Sequence, residues 1–547
     1  MMRSLRREPV LLLALLAAIA LVLAFIVYPQ IQVVLVPGAD GYVKFLNGGT
    51  WVGPLVHSVQ VTLLSTTTAV VLGFVFAYAM VYTPMRWKPF FRIVGILPLL
   101  SPPFVVAAVY ILLFGPRGIV SYGVFGQSPS VFGLLGVWGV QTIAFFPFAY
   151  QLIADVLSRS DARLEQAARN LGAGPWQVFR SMTLPLSGPG LGAAILTCAI
   201  YILEDFGNPQ LIGGGFNVLP TQAYSLIEGF GDFTGAAAVS TILLLLALSL
   251  YVAKTGLDRG RSFVTVGGKA SSMPRPPVPL ALTRACFAAC LALAGLILLV
   301  YGTLIVSALT LYFPTNLNFT LQHFEYLGAH ATSLQNSFVY SMIAAIGCSI
   351  FALFAGFVVQ RGTWPGRKLF DFLLIMPAAI PGIFFGIGYL TAFNQPWSDR
   401  LAEFFGQPDL RAQLIVIALL FWNIPIAYQA VTVGLRQIDR SIDEAATSLG
   451  ASSLRGFRDV LVPMLGGSVQ VGFVTTFVRA VTTLSVVIFL FTPRSTTATI
   501  TIFQLVNDFD WGGAAAFTVG DVGMAVIVVV LIQRLGGRFA VTGFRGG

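Results

Sequence analysis

The chain has 547 residues, 56% of them apolar and only 10% charged, with a formal net charge of +10. A soluble globular protein carries about 25% charged residues, so this composition excludes one and indicates an integral membrane protein. The basic excess would fit a nucleic-acid binder, but the placement of the basic residues removes that reading.

Apolar runs long enough to cross a ~30 Å hydrocarbon core as helices, about 20 residues each, recur along the chain. About twelve are expected, near residues 10–36, 57–82, 93–114, 131–155, 188–206, 233–253, 282–310, 333–359, 371–393, 412–434, 468–491 and 513–533. With the N-terminus in the cytoplasm, 26 of the 32 Lys and Arg residues fall in inner segments; the exceptions are Lys44, Arg117, Arg400, Arg411, Arg494 and, within a span, Arg479. The positive-inside rule then puts both termini in the cytoplasm, and no polyanionic partner is needed to explain the charge. Arg3, Arg6 and Arg7 precede the first run, which is too long for the roughly 7–15 apolar residues of a signal peptide and reads as a retained helix. Cys198, Cys286, Cys290 and Cys348 all lie in expected spans and read as small packing residues.

The chain repeats itself. At an offset of 278 residues, Tyr150-Gln151 meets Tyr428-Gln429, Asp161 meets Asp439, and Glu165-Gln-Ala-Ala-Arg-Asn-Leu-Gly172 meets Asp443-Glu-Ala-Ala-Thr-Ser-Leu-Gly450. Asp232-Phe-Thr-Gly-Ala-Ala-Ala238 meets Asp510-Trp-Gly-Gly-Ala-Ala-Ala516, and at 279 Pro98 and Pro102 meet Pro377 and Pro381. The expected organisation is a six-helix unit over residues 1–254, a basic Pro-containing cytoplasmic linker over 255–281, and a second six-helix unit over 282–547. Six is even, so both units run in the same direction, as parallel repeats about an axis along the membrane normal. Each has a polar loop between its fourth and fifth helices, over residues 156–187 and 435–467.

Locally, Asp443 to Leu449 reads as a short helix with Ala445, Ala446 and Leu449 on one side and Gly450 at its C-terminal stop. A second short helix follows, opened by Pro175 in the first copy and by Ser452 or Ser453 in the second. Glu-Ala-Ala, then Gly, then Leu-Pro resembles the EAA loop of membrane permeases in bacterial ABC importers, and the resemblance covers essentially the whole chain. It implies an all-α integral membrane fold of two parallel type I permease repeats in the bacterial inner membrane. It also implies a coupling helix that docks on a cytoplasmic ATPase. Carried over by position, the coupling residues are Glu165, Gln166, Ala167, Ala168 and Gly172 in the first copy and Glu444, Ala445, Ala446 and Gly450 in the second. The first copy departs from the motif, with Gln166 where Glu is expected.

No Gly-x-x-x-x-Gly-Lys-Ser/Thr phosphate loop occurs; Gly267-Gly-Lys-Ala270 lacks the hydroxyl and the leading glycine. The resemblance therefore implies two separate ATPase subunits, which hold ATP and Mg²⁺, and a periplasmic solute-binding protein, with no cofactor and no catalytic residue in this chain. A secondary transporter of major facilitator type also has two parallel six-helix repeats, but the loops Thr83–Arg92 and Gln360–Lys368 lack that group's acidic residue.

A fused permease of this length is similar to ferric-iron and thiamine importers, and Glu204-Asp-Phe-Gly-Asn-Pro209 with Leu219-Pro-Thr221 resembles the ferric branch. Permeases for polyamines, phosphonates or sugar phosphates share parts of the pattern. Ferric iron prefers oxygen ligands. Glu204 and Asp205 at the outer end of the fifth helix are candidate metal-guiding residues, with Glu228, Asp232, Glu325, Asp508 and Asp510 on the same side. Pro98 and Pro102 in the third helix and Pro377 and Pro381 in the ninth should break those helices and are candidate pathway residues. Arg479 and Asp521 sit at similar depths and are expected to pair; Arg479 as an anion-binding residue is the alternative.

Overall fold

The computed structural model describes residues 9–128, 130–158, 162–260, 278–395 and 410–535, together with Arg400 and Glu403. Most of the expected 255–281 linker lies outside the described residues. So do Arg3, Arg6, Arg7, Arg159, Asp161, Arg261, Lys269, Arg275, Arg538 and Arg545.

Among the described residues the repeat can be followed through sixteen helices, eight per half, with shorter repeated turns between them. The first eight are α1 (Pro9–Leu35), α2 (Val52–Tyr82), α3 (Val105–Phe114), α4 (Leu134–Ser158), α5 (Ala162–Asn170), α6 (Leu184–Leu203), α7 (Leu219–Phe230) and α8 (Phe233–Gly260). Their counterparts are α9 (Leu280–Ala308), α10 (Thr332–Gln360), α11 (Gly382–Phe393), α12 (Arg411–Gln437), α13 (Arg440–Ser448), α14 (Gly466–Thr482), α15 (Ala498–Asn507) and α16 (Trp511–Leu535). A two-stranded antiparallel hairpin follows α9, with β1 (Thr310–Tyr312) pairing β2 (Asn316–Phe319). Among the described residues nine helices are long and apolar enough to cross a membrane, or up to eleven if each bent pair is one span.

The repeat extends to irregular backbone. Short 3-10 turns stand at Leu97–Leu100 and Met376–Ala379, and π turns at Phe179–Thr183 and Phe457–Leu461. Ser58 Oγ accepts from the Leu219 N–H at 2.8 Å, and Ser337 Oγ from the Ala498 N–H at 2.8 Å. Each serine satisfies a helix-terminal donor that would otherwise be orphaned.

By contacts the chain forms two compact units, residues 1–47, 223–244 and 321–547 in one and residues 48–222 and 245–320 in the other. Neither follows chain order, because each half sends its first helix into the other half's unit. In the first unit Tyr389 of α11 donates to the Phe25 carbonyl of α1 at 2.8 Å, and Phe25 stacks on Phe421 at 5.4 Å. In the second, Ser101 and Tyr301 of α9 share a 2.6 Å hydrogen bond, and Phe287 meets Phe91 edge-on at 5.6 Å. A buried phenol needs such a partner, and these tyrosines fix the seating of helices that are otherwise almost wholly apolar.

In the second unit α2 lies closely along α4 because Gly73 has no side chain: a Cβ there would be 2.8 Å from Ala149 Cβ and from the Tyr150 nitrogen. Small residues allow this approach where lipid leaves no hydrophobic drive between helices. In the first unit Gly356 does the same against Val431, at 2.9 Å from its Cγ1.

The third and ninth spans break at their prolines as expected, and two others differ from their expected form. The ninth is bent by 111° between Arg367–Ala379 and Gly382–Phe393, and the third is broken between Leu100 and Val105. The expected 468–491 span ends at Thr482, where the Thr482 and Thr483 hydroxyls turn back onto the Val478 and Arg479 carbonyls. Residues 485–490 continue as turns, buried except for the half-buried Ser485. In the expected 188–206 span the apolar helix is only Gly190–Leu203.

The expected Arg479–Asp521 pair does not form. The Arg479 guanidinium carbon lies 4.3 Å from the centre of the Trp422 ring, so the cation is held by an aromatic face in the last turn of α14. Asp521 of α16 is fully buried, and neither carboxylate oxygen has a hydrogen-bond partner. Replacing it by a leucine should therefore stabilise the protein by about 1–3 kcal/mol, the usual desolvation cost of an unpaired buried polar group. A raised thermal midpoint of purified Asp521→Leu in detergent checks this; a lowered one would contradict it. Gly73→Val should act oppositely, destabilising by about 1–3 kcal/mol through overpacking, read in the same assay.

Candidate functional site

The duplicated loops fold alike. α5 and α13 are each followed by a one-turn helix, Pro175–Val178 and Ser453–Gly456. Pro175 opens the first, and Ser452 caps the second by accepting from the Arg455 N–H at 3.3 Å. Asp439 caps α13, accepting from the Ser441 N–H at 2.8 Å, and this hydrogen bond holds its carboxyl below the usual carboxylate range.

Both helices end in the same three bonds. In the first copy the N–H groups of Leu171, Gly172 and Ala173 reach the carbonyls of Ala167, Arg169 and Ala168; in the second those of Leu449, Gly450 and Ala451 reach Ala445, Thr447 and Ala446. This termination requires a left-handed residue, supplied by Gly172 at φ +90 and Gly450 at φ +85. A Cβ at either glycine would meet nothing within 4 Å, so the constraint is conformational, not spatial. The turn thrusts Leu171 and Leu449 outward, each 89% exposed, beside the exposed Trp176 and the 41%-exposed Leu454. Ala167 and Ala445 are exposed, and Ala168 and Ala446 half-buried.

The acidic positions of the loops separate into two kinds. Glu444 is exposed and Gln166 half-buried. Glu165, grouped by sequence with the docking residues, instead faces inward: it is 5% exposed and accepts from the Tyr82 hydroxyl at 2.8 Å and the Thr183 hydroxyl at 3.3 Å. Its counterpart Asp443 lies 2.9 Å from Arg361 Nε. Arg361 also donates to the Ile438 carbonyl at 2.7 Å and the Leu435 carbonyl at 3.3 Å. Partial burial pushes the Asp443 carboxyl up, against the opposing pull of Arg361 and Arg440.

The acids expected on the outer side do not assemble into a chelate. Glu204 and Asp205 are each 8% exposed at the end of α6. Asp205 accepts from Gln141 Nε2 and Asn208 Nδ2, both at 2.9 Å, while Gln141 Oε1 accepts from Ser65 at 3.0 Å. The carboxylate thus clasps α2 and α4 to the turn after α6, and its neighbours offer N–H donors, not the oxygens a ferric ion prefers. Asp232 and Asp510 cap α8 and α16, accepting from Gly235 and Gly513 at 2.8 and 2.9 Å. Glu228, Glu325 and Asp508 are exposed. Among the described residues no group of three or more His, Cys, Asp or Glu could hold a metal ion.

Pro98 and Pro377 lie buried in the 3-10 turns; Pro381 immediately precedes the resumed ninth helix, and Pro102 stands three residues before the resumed third helix at Val105. The breaks leave carbonyls that need donors: Trp422 Nε1 reaches Ile380 at 3.1 Å, and the Val105 N–H reaches Pro102 at 3.0 Å. Arg479, Trp422 and the break at Pro381 are thereby brought together. Sequence reasoning missed Tyr82, Gln141, Asn208 and Trp422, and read Arg361 only as a topology signal. Long-range polar pairs leave no periodic trace in a sequence.

The family model described as "Binding-protein-dependent transport system inner membrane component" matches residues 69–262 and again residues 348–538. A ferric transport system permease protein of Actinobacillus pleuropneumoniae is 29% identical over 95% of this chain and 77% of its own length. A putative ferric transport system permease protein of Haemophilus influenzae is 28% identical over 90% of this chain and 79% of its own length. A molybdenum transport system permease protein of Escherichia coli is 32% identical over 35% of this chain and 86% of its own length. With two matches, in the order and spacing of its internal repeat, the chain belongs to the family of binding-protein-dependent transport system inner membrane components.

Proposed function

We propose that this chain is the membrane permease of an ATP-driven importer that moves ferric iron from periplasm to cytoplasm by alternating access. Both termini and both duplicated loops face the cytoplasm. Two ATPase subunits, which carry the ATP and Mg²⁺, receive one loop each, and a periplasmic binding protein delivers the solute. The observation that carries the reading is the pair of matched helix ends, each presenting an 89%-exposed leucine ahead of a left-handed glycine. Burying a leucine side chain is worth about 1.5–3 kcal/mol, so two such knobs offer a strong apolar contact to a duplicated partner. Iron as the solute rests on the names of the two relatives that match nearly the whole chain. Iron here is cargo, and the clasped Asp205 favours its delivery and passage without a resident chelate.

In this mechanism ATP binding draws the ATPases together and pulls the coupling helices with them, opening the pathway outward; hydrolysis resets it. The broken third helices contribute at Pro98, Pro102, Pro377 and Pro381, where interrupted backbone lets a span bend without breaking hydrogen bonds elsewhere. A second reading has one observation in its favour: Arg479, held over Trp422 beside the Pro381 break, suits an anionic solute.

Reconstitution of the permease with its ATPase and binding protein tests both readings. Ferric uptake dependent on ATP is expected, and uptake of an oxyanion with no ferric uptake would overturn the iron assignment. Leu171→Asp with Leu449→Asp should abolish co-purification of the ATPase while leaving the thermal midpoint nearly unchanged. Gly450→Val, which forces a branched residue into a left-handed turn at a cost of about 1–2 kcal/mol, should reduce ATP-dependent uptake severalfold. Normal uptake in that variant would count against coupling through this turn.

A further inference from the structure

We infer that Glu165 and Asp443, the residues just ahead of the docking positions, are positioning residues that latch each coupling helix to the end of the second helix of its repeat. The inference rests on the proposed role of these loops as ATPase-coupling elements and assigns the route by which their motion enters the membrane helices.

Three observations carry it. The two acids are equivalent in the repeat, and each reaches the same place, the last residue of α2 or the cap of α10: Glu165 meets Tyr82, and Asp443 meets Arg361. The chemistry differs between halves, a phenol–carboxylate hydrogen bond in one and an ion pair in the other, so a shared sequence pattern does not explain the shared geometry. Each latch also ties in a third element. Thr183, at the foot of α6, donates to Glu165; Arg361 binds the Leu435 and Ile438 carbonyls at the end of α12, and Arg440 of α13 donates to the Gln360 carbonyl at 3.3 Å. The adjacent residues Gln166 and Glu444 are more exposed.

The physical consequence is mechanical. A short helix joined to its neighbours only by loops would absorb a pull by swinging on them. With its first turn pinned to the end of α2 or α10, a displacement of α5 or α13 moves the long helix as well. A residue that docks on the ATPase would weaken subunit association when lost, whereas a latch would leave association intact and lower the import obtained per ATP.

Asp443→Ala, Asp443→Glu and Tyr82→Phe, each in the full chain in lipid nanodiscs, separate these outcomes. Hydrogen exchange is read across residues 440–448, or 163–170 for Tyr82→Phe, and the ATPase complex is then tested for co-purification and for ATP hydrolysed per ferric ion imported. Asp443→Ala should speed exchange by about fivefold, the most expected from a partly exposed ion pair, and Asp443→Glu should restore most of the protection. ATP consumed per ion should rise at least severalfold with co-purification retained. Unchanged exchange in both Asp443→Ala and Tyr82→Phe, or lost co-purification with unchanged exchange, would overturn the latch. Should the wild-type chain itself fail to bind an ATPase, the proposed function fails, while the exchange arm still decides whether the latch exists.

Discussion

Inside hydrocarbon no water is available to satisfy a backbone N–H or C=O, so every place where a helix starts, stops or breaks must bring its own partner. The irregular features of this chain follow from that constraint. Ser58 and Ser337 serve the first donors of α7 and α15, Asp232 and Asp510 those of α8 and α16, and Trp422 the carbonyl freed at Ile380. These polar side chains stand where regular backbone hydrogen bonding fails. Several acids that would pass for solute ligands in a sequence are committed to this work.

The same constraint explains which parts of the repeat are kept. The paired caps, 3-10 turns, π turns and left-handed glycines recur at offsets of 278 or 279 residues because each is a local backbone solution that tolerates little substitution. The family match begins at residue 69 in the first half and 348 in the second, inside α2 and α10. The helices α1 and α9 lie outside those matches, and they are the ones that join the other half's unit. Single tyrosines, Tyr389 and Tyr301, provide polar fixing points for them.

The fold class, the duplication, the breaks at the prolines and the termination of the loop helices at Gly172 and Gly450 were legible in the sequence, because composition, spacing and turn chemistry are local signals. Span ends were less legible: the run 468–491 is uniformly apolar, and only the Thr482-Thr483 pair marks where the helix gives way to buried turns. Pairings were the least legible. Arg479 and Asp521 stand at similar depths by their positions in the sequence, yet depth says nothing of azimuth, and the guanidinium lies over an aromatic ring instead. Glu165 reads as a docking residue from the motif; its inward direction depends on Tyr82, 83 residues earlier.

Divergence between the halves has a pattern that bears on what the pathway carries. Positions that shape backbone are matched, whereas positions holding isolated polar groups are not. Asp205 and Gln141 correspond at 278 residues to Thr483 and Leu419, so the carboxylate clasp belongs to the first half alone. Arg479 and Trp422 correspond to Tyr201 and Ala144, so the guanidinium–indole stack belongs to the second. A symmetric solute path through a duplicated fold would keep such groups in both copies or in neither. The acid thus belongs to one half and the cation to the other, on a duplicated frame whose backbone features are matched. Intramembrane charge is costly enough that it persists only where something holds or uses it. Asp205 is held by amide donors and Arg479 by an indole face.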